Sequence, residues 1–193
     1  MAKKLKKVEI IGVSGVQGSF SEEAAHAYIT KNKLKSPKIA YLVTVENVLA
    51  VLEDGQITLG IFPIQNSTMG LVAEAAHAMA KHRFHIKKIF EIIIHQNLLV
   101  KKGVVADKIT KIVSQEPALK QCTMYLRRVW PKIKVGNYAD TAKAAEDLAK
   151  GILPVSTAVI ASVAAARLYK LDVLEESIQD LKFNYTTFIA ATK

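Results

Sequence analysis

The sequence predicts an α/β protein, and three observations carry that expectation. Short apolar runs alternate with segments of helical period in both halves of the chain, the pattern of strands joined through helices. Half of the 193 residues are hydrophobic, 23% are charged, and there are only nine glycines and five prolines. That is enough apolar material for a packed core, and it excludes a disordered, collagen-like or low-complexity chain. At 21.2 kDa the chain suits one ordinary domain or two small lobes, not an array of modules.

The elements follow in order. Val8 to Val13 is a short apolar strand, followed by a Gly/Ser loop and a helix over Glu22 to Lys31, where alanines and charges recur at helical spacing. Lys38 to Val43 is a second strand, Val45 to Glu53 a helix ended near Gly55, and Thr58 to Phe62 a third strand. A polar hinge after Pro63, Gln65 to Thr68, leads to an Ala-rich helix from Gly70 to about Lys81. The extended run His85 to Val100 is then long enough to carry the chain into a second lobe. The second half predicts strands at Lys111 to Ser114, Lys132 to Val135 and Ile152 to Val155, with helices at Pro117 to Trp130, Thr141 to Lys150 and Thr157 to Tyr169. No residue-level repeat and no Pro/Ser-rich linker separates the halves, so two lobes would be joined by the extended runs near 82–100 and 172–188. The cleft between them is the natural binding site.

Composition narrows the function. The one cysteine, Cys122, forms no internal disulfide and no Cys-rich metal site, which fits a buried small side chain in a reducing, cytoplasmic compartment. The longest apolar stretches are interrupted well short of the roughly 18 residues of a membrane span, and Met1 to Lys7 is basic but leads straight into a strand pattern, so neither a span nor a secretory signal is expected. The net charge of +10 favours anionic partners: nucleic acid, anionic lipid or a small acidic metabolite. Much of the excess lies in Lys3, Lys4, Lys6, Lys7 and in Lys31, Lys33, Lys35, Lys38, with no aromatics interleaved for base stacking, so these runs are expected to be a solvated basic face.

Several expected helices begin with small polar residues: Gly18-Ser19-Phe20-Ser21, Asn66-Ser67-Thr68, Asp140-Thr141 and Ser156-Thr157. Each serves as a cap for its own helix, and Ser19-x-x-Glu22 fits a capping box. Gathered at strand ends, such N-termini also offer N–H groups and positive dipole ends to a carboxylate or phosphate. Gly12-x-x-Gly15-x-x-Gly18 invites a dinucleotide reading, but its spacing is wrong and no acidic residue ends the second strand. No phosphate-loop, zinc-protease or paired-cysteine motif occurs. His77 and His82 are expected at helix ends on the surface, and His95 as a satisfied core histidine. No metal and no cofactor is expected.

One ordered set of segments is far more specific. Gly15-Val16-Gln17-Gly18-Ser19-Phe20-Ser21 precedes Ala24-Ala25; then come Pro63-Ile64-Gln65-Asn66-Ser67-Thr68-Met69-Gly70, Ser114 with Ala118-Leu119 and Gln121-Cys122, and Asp140-Thr141-Ala142 with Ala144-Ala145. Ala161-Ser162 and Ile178-Gln179-Asp180, leading to Asn184-Tyr185-Thr186-Thr187-Phe188, close the series. This order, running from about residue 8 to 191, resembles the catalytic domain of the prephenate dehydratases. The resemblance implies a two-lobed fold like the type II periplasmic binding proteins, with residues 1–82 and 179–193 in the first lobe and 83–178 in the second. It implies prephenate in the cleft, decarboxylated and dehydrated to phenylpyruvate on the route to phenylalanine, by a cytoplasmic homodimer that needs no metal or cofactor. The phenylalanine-sensing ACT domain that often follows in this family is not expected, and neither nucleic acid nor membrane is expected as a partner.

By the family pattern, Thr186 stands at the leaving hydroxyl, and Asn66, Ser67 and the N-terminus near Thr68 hold a carboxylate. Ser19, Ser21, Ser114, Asp140, Thr141, Asn184, Thr187 and Phe188 complete the implied substrate-binding set. Four motifs depart from that pattern. The family's Thr-Arg-Phe is Thr186-Thr187-Phe188, its Pro-x-Glu-Asn-Ser is Pro63-Ile64-Gln65-Asn66-Ser67, and its Ser-His-Pro-Gln-Ala-Leu is Ser114-Gln115-Glu116-Pro117-Ala118-Leu119. Its Gly-Pro-x-Gly-Thr-Phe-Ser is Gly15-Val16-Gln17-Gly18-Ser19-Phe20-Ser21. If the absent arginine gripped substrate, its loss would cost roughly 2 to 5 kcal/mol, and Thr187→Arg should lower KM. The departures leave a second reading open, a weakened or repurposed relative that binds a related cyclic or aromatic carboxylate; a nucleic-acid-binding module rests on charge alone.

Overall fold

The computed structural model describes residues 9–193. Val8 and the lysines at 3, 4, 6 and 7 lie outside the described residues. The chain runs through β1 (Ile10–Val13), α1 (Phe20–Lys31), β2 (Lys38–Tyr41), α2 (Val45–Glu53), β3 (Leu59–Asn66), β4 (Gly70–Leu71), α3 (Ala73–Lys81) and β5 (His85–Ile93). It crosses into β6 (Asn97–Val100), a short 3₁₀ turn (Ala106–Lys108), β7 (Lys111–Ser114), α4 (Glu116–Gln121), α5 (Thr123–Val129) and β8 (Lys134–Asn137). After α6 (Thr141–Ala149), β9 (Thr157–Ala161), α7 (Val163–Tyr169) and β10 (Asp172–Glu175) it returns as β11 (Tyr185–Thr192). Two sheets result: β2-β1-β3-β11-β5, with β4 on β3, and β10-β6-β9-β7-β8.

Strand alternation distributes the apolar side chains to both faces of each sheet. In β3, Ile61 packs toward α1 with Ile11, Ala24, Tyr28 and Phe188, while Phe62 packs toward α2 and α3 with Val48, Leu52 and Ile189. The second sheet sends Leu98, Ile112 and Ile160 toward Cys122 and Leu126, and Leu99, Val113 and Val159 toward α6 and α7. β11 lies antiparallel between β3 and β5, so the C-terminal strand completes the first sheet.

Several expectations are corrected. β5 pairs with β11, so its residues belong to the first lobe, and the crossing falls at 94–96 instead of 82/83. The expected helix at Thr157 is the strand β9, and residues 152–155 form no strand. All five β9 residues are buried, so both faces are apolar and no period distinguishes it from the alanine-rich helix that follows. Ser156-Thr157 caps nothing; Ser162 is the N-cap of α7, its hydroxyl accepting from Ala165 N–H at 2.9 Å. The helix expected from Pro117 to Trp130 breaks at Cys122. The Asp180 carboxylate accepts there from the N–H groups of Met124 (2.9 Å) and Tyr125 (2.8 Å), which gives the Ile178-Gln179-Asp180 segment a structural role. β3 continues through Pro63, which tolerates its missing N–H beside a bulge in the β11 pairing.

Candidate active site

The lobes enclose a cleft of about 440 Å³, within the size range of small-molecule sites. Five helix starts border it: Ser19, Phe20 and Ser21 of α1, Val45 of α2, Val72 and Glu74 at α3, Gln115, Pro117 and Ala118 at α4, and Asp140 and Thr141 at α6. Ser19 caps α1 by accepting from Glu22 N–H at 3.4 Å, and Asp140 caps α6 by accepting from Lys143 N–H at 2.9 Å. The Glu22 carboxylate accepts from Gly18 N–H at 2.6 Å and from the Tyr41 hydroxyl. Burial, then that bond to Glu22, holds the Tyr41 phenol well above its ordinary pKa. Charged lining residues are Glu74 and Asp140; among the described residues no Lys, Arg or His lines the cleft. Helix N–H groups are therefore the positive ends that this lining offers to an anion. The basic residues Lys31, Lys33, Lys35 and Lys38 are exposed.

Around the same cleft, side-chain amides from both lobes interlock. Asn66, at the end of β3, accepts through Oδ1 from Thr68 N–H (3.0 Å), Met69 N–H (3.1 Å), the Thr68 hydroxyl (2.7 Å) and Gln121 Nε2 (3.3 Å). Four donors on Oδ1 fix the amide, so its Nδ2 must face β11. There its two N–H groups are shared among Asn184 Oδ1 (2.9 Å), Tyr185 O (3.0 Å) and Thr186 Oγ1 (2.9 Å). Gln121 Oε1 in turn accepts from Asn184 Nδ2 at 2.8 Å and Gln96 Nε2 at 2.9 Å. Thr186 Oγ1 thus acts as an acceptor toward Asn66, which leaves its own proton free for the cleft. Gln96 Oε1 is buried without a donor.

Ser19, Ser21, Asn66, Asp140, Thr141, Thr186 and Phe188 line the cleft as expected. Thr68 and Asn184 border an adjoining depression, with Asn184 wholly buried in the amide network. Three expected contacts fall elsewhere. Ser114 is fully buried and donates to Ile160 O at 2.6 Å. Ser67 sits outside the cleft, its hydroxyl accepting from Tyr185 N–H at 2.9 Å. Thr187 lies on the opposite sheet face from Thr186, as strand alternation dictates, and donates to Glu91 Oε1 at 3.2 Å. Asn66 is also reassigned: both ends of its amide are engaged within the protein, leaving no spare donor for a carboxylate.

The glycines are explained by packing. A Cβ on Gly12 would come within 2.5 Å of Ile57, and Gly18 has φ +85° with its added Cβ 3.2 Å from Ala165 of the other lobe. Gly18 also accepts from Ser162 Oγ at 2.7 Å, tying the lobes together. Sequence reasoning missed Gln96 and did not assign Gln121 a role; amides carry no charge or motif signal, and only the fold brings these two together. His95 is exposed, bonded to Ser177 Oγ at 3.0 Å, contrary to the core position expected. His82 lies between Glu53 (2.8 Å) and Glu46 (3.0 Å). Cys122 is fully buried, and burial raises its thiol pKa.

Comparison with known proteins agrees with this geometry. Residues 11–193 match the family model described as prephenate dehydratase. Arogenate dehydratase 5 of Arabidopsis thaliana, a chloroplastic protein, is 34% identical over 180 residues, covering 93% of this chain and 41% of its own. The prephenate dehydratase of Lactococcus lactis subsp. cremoris is 31% identical over 180 residues, covering 92% and 61% respectively. The chain thus spans between 41% and 61% of the length of these two relatives. Among solved structures, a prephenate dehydratase from Arthrobacter aurescens in complex with L-Phe superposes with a TM-score of 0.86 at 24% identity, covering 95% of this chain and 60% of that one. A periplasmic substrate-binding protein of an ABC transporter from Coxiella burnetii gives 0.53 at 13% identity, covering 94% and 84%. These two establish the fold, a two-lobed α/β architecture of the type II periplasmic-binding-protein kind. With a family model spanning nearly all of the described residues and relatives above 30% identity, the chain belongs to the prephenate dehydratase family.

Proposed function

We propose that this chain catalyses the decarboxylating dehydration of prephenate to phenylpyruvate. The observation that carries this reading is the Thr186 hydroxyl, fixed as an acceptor by Asn66 at 2.9 Å and free to donate into the cleft. In the reaction the bond from ring carbon to carboxylate breaks and releases carbon dioxide. Its electron pair enters the ring, which becomes aromatic as the C–O bond to the ring hydroxyl breaks. The departing oxygen takes a hydrogen bond from Thr186, and the net proton that completes water is drawn from solvent. Aromatisation supplies the driving force, so the protein's task is orientation, hydrogen bonding and exclusion of bulk water.

The substrate's carboxylates are assigned to the open N–H groups and hydroxyls at the starts of α1 and α6, where Ser19, Ser21 and Thr141 reach the cleft. Cytoplasmic residence and assembly as two copies belong to the same reading; among the described residues no helix is long and apolar enough to cross a membrane. Incubation of the protein with prephenate tests the proposal: phenylpyruvate should form well above the uncatalysed rate. A rate equal to that background rejects it.

One observation favours the second reading, binding of a related carboxylate without turnover. No cationic side chain among the described residues lines the cleft, although prephenate carries two carboxylates. Calorimetry with prephenate, phenylpyruvate and phenylalanine separates the two, since binding with no product marks the second.

A further inference from the structure

The turn before α2 is held in a conformation that its side chain resists. Val43 has φ +69°, and of the five non-glycine residues with positive φ among the described residues it is the one with a β-branched side chain, for which the left-handed region is an outlier. Five hydrogen bonds impose it. Leu42 N–H donates to Val13 O (2.9 Å) and Val43 N–H to Gly15 O (3.3 Å), which fixes the way in from β2. Thr44 N–H then donates across Val43 to Leu42 O at 2.8 Å, closing a three-residue γ-turn of the rare, strained hand. Asn47 secures the way out: its Nδ2 donates to the same Leu42 O (2.9 Å) and its N–H to Thr44 Oγ1 (3.1 Å). Such a turn suits glycine or asparagine better than valine.

Folding offsets little of that strain, because Val43 stays 60% exposed. It lines the cleft together with Met69 and with Leu71, which is 77% exposed. The Glu74 carboxylate accepts from Val45 N–H at 2.9 Å and so ties the start of α2, after Val43, to the start of α3, after Leu71. Val45, Ile94 and Phe188 also line the cleft, but their surface is already buried in the protein. Much of the apolar area left for a ligand therefore belongs to Val43 and Leu71.

We propose that Val43 and Leu71 take the six-membered ring of the substrate, and that the strained turn holds the valine where the ring can bury it. The proposal rests on the substrate reading above and deepens it. Helix starts are assigned to the carboxylates and Thr186 to the ring hydroxyl, which leaves the carbon faces of the ring to be matched. Open-chain dicarboxylates would suit the same N–H groups, and the cleft has no cationic lining side chain among the described residues to tell the two apart. Burial of carbon against Val43 and Leu71 adds affinity for the ring-bearing acid alone.

Kinetics of Val43→Gly and Leu71→Ser test this, with circular dichroism and thermal melting of each variant. Val43→Gly should raise KM for prephenate and Ki for phenylpyruvate by about threefold to tenfold, the loss expected for a few buried methyl groups. Ki for succinate, a ringless dicarboxylate, should stay within about twofold. The melting temperature should hold or rise by up to about 5 °C, since glycine releases the strain. Leu71→Ser should show the same contrast between ligands. Equal weakening of ringed and ringless acids, or weakening of neither, overturns the proposal. So does a melting temperature of Val43→Gly several degrees below wild type, which would make Val43 a packing residue. A wild type that turns over no prephenate rejects the dehydratase reading alone, and the dissociation constant of phenylpyruvate, by calorimetry, then reads the same contrast between variants. A wild type that binds no phenylpyruvate overturns the ring contact as well.

Discussion

The two walls of the cleft are built on opposite principles. On the amide wall, Asn66, Gln121, Asn184 and Gln96 satisfy one another, and what remains for a ligand is the Thr186 proton and the Gln96 oxygen. On the helix wall, α1 and α6 are capped by Ser19 and Asp140, but a cap occupies only one of the first-turn N–H groups, and the others have no partner within the helix. One wall is fixed before substrate arrives; the other is a receptor that substrate completes. Loss of a group on the first should lower kcat, and loss on the second should raise KM.

The largest expected effect is at Thr186. Thr186→Val keeps the shape and removes the donor, so kcat for phenylpyruvate formation should fall by about 10² to 10⁴ with little change in KM. Undiminished turnover would strip Thr186 of its proposed role. Next is Asn66→Asp, nearly isosteric, which replaces the Nδ2 donor with a carboxylate oxygen. The Thr186 hydroxyl would then turn to donate toward that oxygen and away from the substrate. A loss of about 10² in kcat is expected, and a pure KM effect would show that Asn66 contacts substrate after all. On the opposite wall, Ser21→Ala should raise KM by about threefold to tenfold and leave kcat within a factor of two, the size of one modest hydrogen bond. Steady-state kinetics across these three variants decides whether the walls divide the work.

How much of this was legible in the sequence depends on the kind of signal. Helix α2 is legible to the residue because Val45, Val48, Leu49 and Leu52 mark one buried face and Thr44 caps it. Strand β9 is not, because burial on both faces erases period, and α4 and α5 read as one helix because Asp180, over fifty residues away, binds the N–H groups at their break. The helix wall was readable from its small polar caps. The amide wall was not: Gln96, Gln121 and Asn66 become one network only when crossing strand, α4 and β3 meet. Resemblance points to Thr186, which lines the cleft, and nothing local could have shown that the Asn66 amide meets Thr186.

A smaller effect lies outside both walls and serves as a control. His82 joins α3 to both ends of α2, and its bonds to Glu53 and Glu46 raise its pKa above the ordinary 6.5. The same bonds lower the pKa of Glu53 and Glu46. The protonated imidazole is favoured by folding, so its contribution is full below pH 6.5 and fades as pH rises through the raised value. The glutamates behave oppositely and lose their share only as pH falls through their lowered values. Melting temperature should therefore decline from about pH 6 to pH 9 in wild type and decline less in His82→Gln, with KM for prephenate unaltered at fixed pH. Equal slopes would mean that the triad does not couple to folding.

The smallest expected effect is the most discriminating. A family arginine absent at position 187 invites the expectation that Thr187→Arg restores a carboxylate grip and lowers KM. Strand geometry argues otherwise: Thr186 and Phe188 line the cleft, whereas Thr187 projects from the other face of β11, where its hydroxyl meets Glu91. A guanidinium placed there would form a cross-strand ion pair with Glu91, worth about 0.2 to 1 kcal/mol, and would have no path through the sheet to the substrate. Thr187→Arg should leave KM and kcat within a factor of two and raise the melting temperature slightly. A severalfold fall in KM would mean that β11 presents residue 187 to the cleft when substrate is bound, and the division between the two walls would have to be redrawn to include a charged anchor.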